Sequence, residues 1–185
     1  MRVWALVKAV AVKDMRTELR SRVAVNQVAP YAMIVLFLFA FAIDSDATLT
    51  RVAAGLVWMT TLFSMLLVTQ RSFEMEHADG AMDALLVAGA DMRAVFGGKA
   101  IALAVQLLFI ELLLIFLAVV VCRVEPPVSG VALLVAVVVL TAITLGSVGV
   151  LYGGLAAGAR GKETLLPLLI LPVVGAVAFP VLVEE

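Results

Sequence analysis

Long uncharged runs decide what this chain can fold into. They extend roughly over 25–43, 52–69, 100–122, 128–157 and 164–183, and Glu111 is the one charged residue inside them. At a rise of 1.5 Å per residue, ~18 helical residues cover about 27 Å, close to the hydrocarbon thickness of a bilayer. Backbone in hydrocarbon must satisfy its own hydrogen bonds, so a spanning run is a helix or belongs to a closed barrel. A barrel alternates polarity over segments of ~10 residues, and these runs do not alternate. The chain is 64% hydrophobic with a mean hydropathy of +1.18, well above the ~45–50% of soluble domains. The expected fold is an all-α polytopic helical membrane protein with five transmembrane helices. An N-terminal amphipathic segment, 1–24, precedes a transmembrane domain, 25–185.

Several function classes fall away. The net charge is −1, so no basic surface suggests nucleic acid. A single cysteine, Cys122, excludes an internal disulfide, a CxxC pair and a cysteine-rich metal site. The charged N-terminal lead is too long for a signal peptide, and no small-residue cleavage site follows it.

Val3, Leu6, Val7, Val10 and Leu19 can share one helix face in the lead, with Arg2, Lys8, Lys13, Arg16, Arg20 and Arg22 around them. This reads as a basic amphipathic helix on the bilayer surface, against the plainer reading of a solvated tail. The basic residues also set an orientation. Eleven of the thirteen fall in the lead, in the 70–99 connection and in the 158–163 connection. Arg51 and Arg123 alone fall on the other side. The positive-inside rule then predicts a cytoplasmic N-terminus and a cytoplasmic 70–99 loop.

That loop, 70–99, is the main polar interruption. It holds Glu74, Glu76, Asp79, Asp83, Asp91 and the single histidine, His77. Asp79 suits the N-cap of a short helix beginning near Ala81, with Asp83 in its first turn. Met82, Leu85 and Leu86 lie on one stripe, and Gly89 serves as a stop. Asp91 can cap a following helix that runs through Phe96 and Lys99 into the third span. The stripe is too short to be a core, so it packs on the membrane surface, on its own bundle or on a partner.

The pattern Glu76-x-x-Asp79-Gly80-x-x-Asp83-x-Leu85-Leu86, followed by Gly98-Lys99 opening a span, resembles the signature of ABC-2 type transporter permeases. Within that group the chain is similar to the haem exporter B subunit family, CcmB. The further stretches are Lys13-Asp14-x-Arg16-x-Glu18-x-Arg20-Ser21-Arg22, Gly55-Leu56-Val57-Trp58, Arg71-Ser72-Phe73 and the run from Leu165 to Pro172. The resemblance implies a coupling helix in which Glu76, Asp79, Gly80, Met82, Asp83, Leu85 and Leu86 meet a cytoplasmic ABC ATPase (CcmA-like). It further implies a haem-handling membrane subunit (CcmC-like), a small single-span subunit (CcmD-like) and a homodimer of this chain in the bacterial inner membrane. Haem would be the transported substrate, with no cofactor bound directly and ATP held on the partner subunit. The sequence departs from the family in having Val87-Ala88-Gly89-Ala90 where a proline is usual. The family also has a sixth span, and its absence here reads as a truncation or an incomplete sequence.

Other residues carry weaker signals. Glu111 at the centre of the third span costs about 2.5–3.5 kcal/mol on insertion scales, so it is expected to face the bundle or a partner. A protonated or hydrogen-bonded interhelical contact is the simpler role; a coupling or substrate-path residue is the functional one. Gly149-xxx-Gly153 and Gly154-xxx-Gly158 permit close helix packing. Phe96-Gly97-Gly98-Lys99 lacks phosphate-loop spacing, so the chain is read as a non-catalytic permease. The rivals are an ABC-2 permease for a drug, lipid or polysaccharide, a membrane scaffold, and a metal-dependent transferase built on Asp79 and Asp83. The last lacks the second aspartate pair that such enzymes use, since no aspartate follows Asp91.

Overall fold

The computed structural model of the protein describes residues 3–22, 24–78, 84–85, 87–123 and 130–157. The elements are α1 (Val3–Ser21), a π-helical segment (Ala24–Val28) leading into α2 (Ala29–Ala42), α3 (Asp46–Ala78), α4 (Met92–Val121) and α5 (Val131–Ala157). Four helical stretches are long and apolar enough to cross a membrane: Val25–Ala42, Asp46–Glu74, Met92–Val121 and Val131–Leu155. The protein is an all-helical, multi-pass membrane protein. The fifth expected span, 164–183, lies outside the described residues.

Local sequence explains the first crossing. Pro30 supplies no N–H, and its ring crowds the carbonyl of Asn26, four residues back. The backbone widens into a π-helical turn at that point, then continues as α2 with the proline in its first turn. Arg22 (φ 52°) makes the left-handed turn that separates α1 from this crossing.

The 70–99 connection is much shorter than its polarity suggests. α3 continues through the charged residues to Ala78, and α4 begins at Met92, behind the expected Asp91 cap. Charge marks where hydrocarbon ends, not where a helix ends. Arg, Glu and Met are good helix formers, and Arg71 and Glu74 pair across one turn at 3.5 Å. The second span likewise begins earlier than Val52, because Asp46 through Thr50 are already helical.

α4 packs against α1, α2, α3 and α5. Its buried face runs Val95, Gly98, Ala102, Leu107, Ile110, Leu114 and Ala118, a spacing of three to five residues that keeps one side inward. Leu112 and Phe116 on its other side are exposed, as are Ile34, Leu38 and Phe41 on α2 and Leu133 and Leu140 on α5. Such large exposed apolar surface fits lipid rather than water. Conversely, Thr60, Thr61 and Ser64 of α3 are buried. Their hydroxyls donate to the carbonyls of Leu56 (2.7 Å), Val57 (2.9 Å) and Thr60 (2.8 Å), which satisfies them inside their own helix.

α5 meets the bundle through Gly146, Gly149 and Gly153, spaced i, i+3, i+7. A Cβ at Gly146 would lie 2.9 Å from the Ala104 nitrogen, and one at Gly149 would lie 2.7 Å from Thr69 Oγ1. At Gly153 it would strike the Phe73 ring. A Cβ at Gly154, one residue on, would meet nothing within 4 Å among the described residues. Successive residues lie about 100° apart on a helix, so the expected Gly154–Gly158 seam is not an internal one among the described residues, and Gly158 itself lies outside them. At the far end, Thr50 Oγ1 donates to the Cys122 carbonyl at 3.4 Å and ties the start of α3 to the end of α4.

The two glycines predict opposite effects. Gly146→Ala overpacks the α4–α5 contact and costs about 1–3 kcal/mol. Gly154→Ala is neutral or stabilises by up to about 1 kcal/mol through helix propensity. Thermal unfolding of the two variants in detergent compares them directly; equal midpoints would refute the close-packed seam.

Candidate functional site

Two sites stand out along the α4 buried face, one at its start and one within the span. The first lies where α1, the polar end of α3 and the start of α4 converge. A Cβ at Gly98 would lie 2.7 Å from both Val10 Cβ and the Val7 carbonyl oxygen, so only glycine lets α1 lie this close. Val10 is the buried residue of α1. Next to that contact Lys99 is 3% exposed. Its Nζ donates to Asp14 Oδ2 at 3.3 Å and to Ser72 Oγ at 3.4 Å, and it lies 4.9 Å from the Phe73 ring centroid. Asp14 is also 3.4 Å from Lys13 Nζ. One lysine thus joins three helices.

Beside it is a void of about 10 Å³ lined by Thr69, Ser72, Lys99 and Gln106, among others. Thr69 Oγ1 is buried there without a protein partner. The space suits one water molecule. Arg71 adds a further tie, donating to Gln27 Oε1 at 3.1 Å.

The connection to α3 and α4 is described only in part. Glu76 lies in the helical end of α3, while Asp79, Gly80, Met82, Asp83 and Leu86 lie outside the described residues. Leu85 is helical and half-buried. The Ala88 N–H donates to the Ala84 carbonyl at 3.0 Å, and the Ala90 N–H to that of Leu85 at 3.0 Å. Gly89 between them takes a left-handed φ of 67°. This six-to-one bond across a left-handed glycine is the Schellman stop of a short helix. Asp91 then caps α4, its Oδ1 accepting from the Arg93 N–H at 2.9 Å.

The second site is within the span region. Glu111 is 1% exposed, and neither carboxyl oxygen has a hydrogen-bond partner. Among the described residues no hydrogen bond to the Glu111 carboxyl is made. Glu111 lies at the edge of an open cavity of about 420 Å³ whose walls include Thr50, Val57, Trp58, Leu134 and Val137, but its carboxyl oxygens are closed off from that space. Gln106 lines the other, smaller void, so Gln106 and Glu111 serve separate places. Among the described residues no group of three or more His, Cys, Asp or Glu converges as a metal site.

Sequence reasoning counted Lys99 among the loop charges and on the helix entering the third span, and gave neither Lys99 nor Asp14 a partner. The available signal was a lysine after a glycine pair, joined without a helix breaker to a long apolar run.

Comparison with known proteins gives a consistent result. The family model described as CcmB protein matches residues 5–184. Heme exporter protein B of Paracoccus denitrificans and that of Rhodobacter capsulatus are each 30% identical over 97 residues, 52% of this chain and 44% of each relative. The matched chain thus spans less than half the length of these curated relatives. No solved structure matches significantly.

The lysine cluster makes a testable prediction. Asp14→Asn leaves a buried ammonium short of its carboxylate and destabilises on the order of 2 kcal/mol, less than for a fully dry pair because Asp14 keeps some exposure. Lys99→Met in the same chain should recover part of that loss. Hydrogen exchange of α1 amides should rise in Asp14→Asn and fall back in the double variant; unchanged exchange in both would show that the pair does not hold α1.

Proposed function

The chain belongs to the CcmB protein family, and from that membership we propose that it is the permease subunit of an ABC-type complex for haem export in c-type cytochrome maturation. The observation that carries the reading is a family match extending over 5–184, together with relatives that bear the name heme exporter protein B. In this reading the protein sits in the bacterial inner membrane with α1 and the α3–α4 connection on the cytoplasmic side, as the basic residues favour. Two copies pair with a cytoplasmic ATPase, alongside a haem-handling membrane subunit and a small single-span subunit. ATP is bound and hydrolysed by the ATPase, and this chain supplies the path and the mechanical contact.

The contact is the short helix ending at Gly89, with Glu76, Asp79, Gly80, Met82, Asp83, Leu85 and Leu86 toward the ATPase. What supports it is position. The helix lies between the polar ends of α3 and α4, and those ends are tied to α1 through Lys99, Asp14 and Ser72. A displacement of the connection would reach three helices through buried contacts. The chemistry of nucleotide hydrolysis then stays in water while its motion enters the bilayer.

Leu85→Asp/Leu86→Asp should abolish co-purification with the cognate ATPase and reduce complex-dependent ATP turnover by about tenfold or more, as loss of a central apolar anchor does. A complex that assembles and turns over normally would remove the docking role. A deletion strain complemented by the wild-type gene tests the substrate: holo-cytochrome c should be lost on deletion and restored on complementation. Undiminished holo-cytochrome c in the deletion strain would overturn the haem assignment and favour an ABC-2 permease for another cargo.

A further inference from the structure

We propose that the outward face of α1 is a binding surface for anionic phospholipid headgroups, with Lys8, Arg16 and Arg20 meeting the lipid phosphates. The surface is independent of the cargo of the complex and requires only that the bundle spans a bilayer.

The structure divides the faces of α1 differently from its sequence pattern. The apolar face expected on the bilayer includes Val7 and Val10, and both meet α4 at Gly98 instead. Leu6, Val10, Asp14 and Glu18, at steps of four residues, are buried or half-buried on that side, and Asp14 is held there by Lys99. A second row, also at steps of four, is Trp4, Lys8, Val12, Arg16 and Arg20, and every member of it is exposed. At 100° per residue the two rows lie on opposite sides of the helix. Both acids of α1 fall in the bundle-facing row, so the outward row carries basic residues without an acid. Its apolar members are large and open: Trp4 is 79% exposed, and Leu19, beside the row, is 70% exposed.

Two tie points set this row at the bilayer boundary. Val10 lies over Gly98, two residues before the apolar run that begins at Ala100. At its other end α1 stops at Ser21, and the first crossing begins at Val25. The helix therefore runs along the boundary, not away from it. Large apolar side chains interleaved with cations suit that level: the ring and aliphatic groups enter the acyl boundary while the charged tips reach phosphate oxygens. A zwitterionic headgroup offers such a row no net charge. An anionic headgroup does, and each basic residue near the surface adds to the attraction. A protein partner would have to reach the same row across the headgroups.

Energy transfer to labelled lipids tests the surface. The full chain carries two tryptophans, so Trp58→Phe leaves Trp4, on the outward row, as the sole tryptophan donor. This parent chain is placed in phosphatidylcholine nanodiscs that hold a trace of phosphatidylglycerol or of phosphatidylcholine, each with the same pyrene-labelled acyl chain. Transfer from Trp4 should report an association about tenfold or more tighter for phosphatidylglycerol. Lys8→Gln/Arg16→Gln/Arg20→Gln should abolish that preference with unchanged circular dichroism, and Lys8→Arg/Arg16→Lys/Arg20→Lys should keep it. In the parent chain about 0.5 M NaCl should also weaken the preference by screening, a readout that no folding defect can imitate. Equal transfer to the two lipids at low salt would overturn the proposal, as would a full preference in the folded glutamine variant or one indifferent to salt. If the parent shows no lipid preference and the glutamine variant loses co-purification with the cognate ATPase, the row belongs to that protein partner and the proposal fails. Failure of the surface leaves the export reading standing, since that rests on family membership.

Discussion

The bundle depends on one face of one helix. α4 is in contact with every other described helix, and a bilayer offers little hydrophobic drive to hold helices together. Association there depends on van der Waals fit, which rewards small residues and close approach. That condition accounts for the glycines. Gly98 admits α1, and Gly146 and Gly149 admit the α4–α5 and α3–α5 contacts. Each removes a methyl group from a place where the neighbouring backbone or side chain is already at contact distance. Lipid then covers the large side chains turned outward on α2, α4 and α5.

Polar groups inside such a bundle must be answered locally, and the start and the interior of α4 answer in opposite ways. Near the start of α4 Lys99 is supplied with Asp14, Ser72 and the Phe73 ring. The hydroxyls of Thr60, Thr61 and Ser64 bond back to their own helix. Deeper in the bundle Glu111 has no such set. The first arrangement fixes helices to one another, and the second leaves unspent bonding capacity beside an open space.

Much of the architecture was legible because membrane spans are written in long apolar runs. The runs at 25–43, 100–122 and 128–157 each contain most of a spanning helix. The Asp91 cap and the Gly89 stop could also be read, since both follow from strictly local backbone needs. The length of the 70–99 loop could not. Arg71 and Glu74 look like the end of a span, yet they continue its helix. The Lys99–Asp14 pair was equally hidden, being 85 positions apart, with nothing in either neighbourhood naming the other. The glycine stripe shows the remaining limit. Gly149 and Gly154 carry the same local motif, and only the rotation of α5 against its neighbours separates a packed glycine from an open one.

The extensions of α3 and α4 beyond the apolar runs have a mechanical consequence. α3 has 33 residues and α4 has 30, so they are about 50 Å and 45 Å long against a hydrocarbon core of about 30 Å. Their surplus projects on the same side and is joined by a connection of a dozen or so residues. The pair behaves as a stiff fork whose tines continue through the bilayer. Both helices run unbroken from that connection to the opposite end of the bundle, where Thr50 is bonded to Cys122.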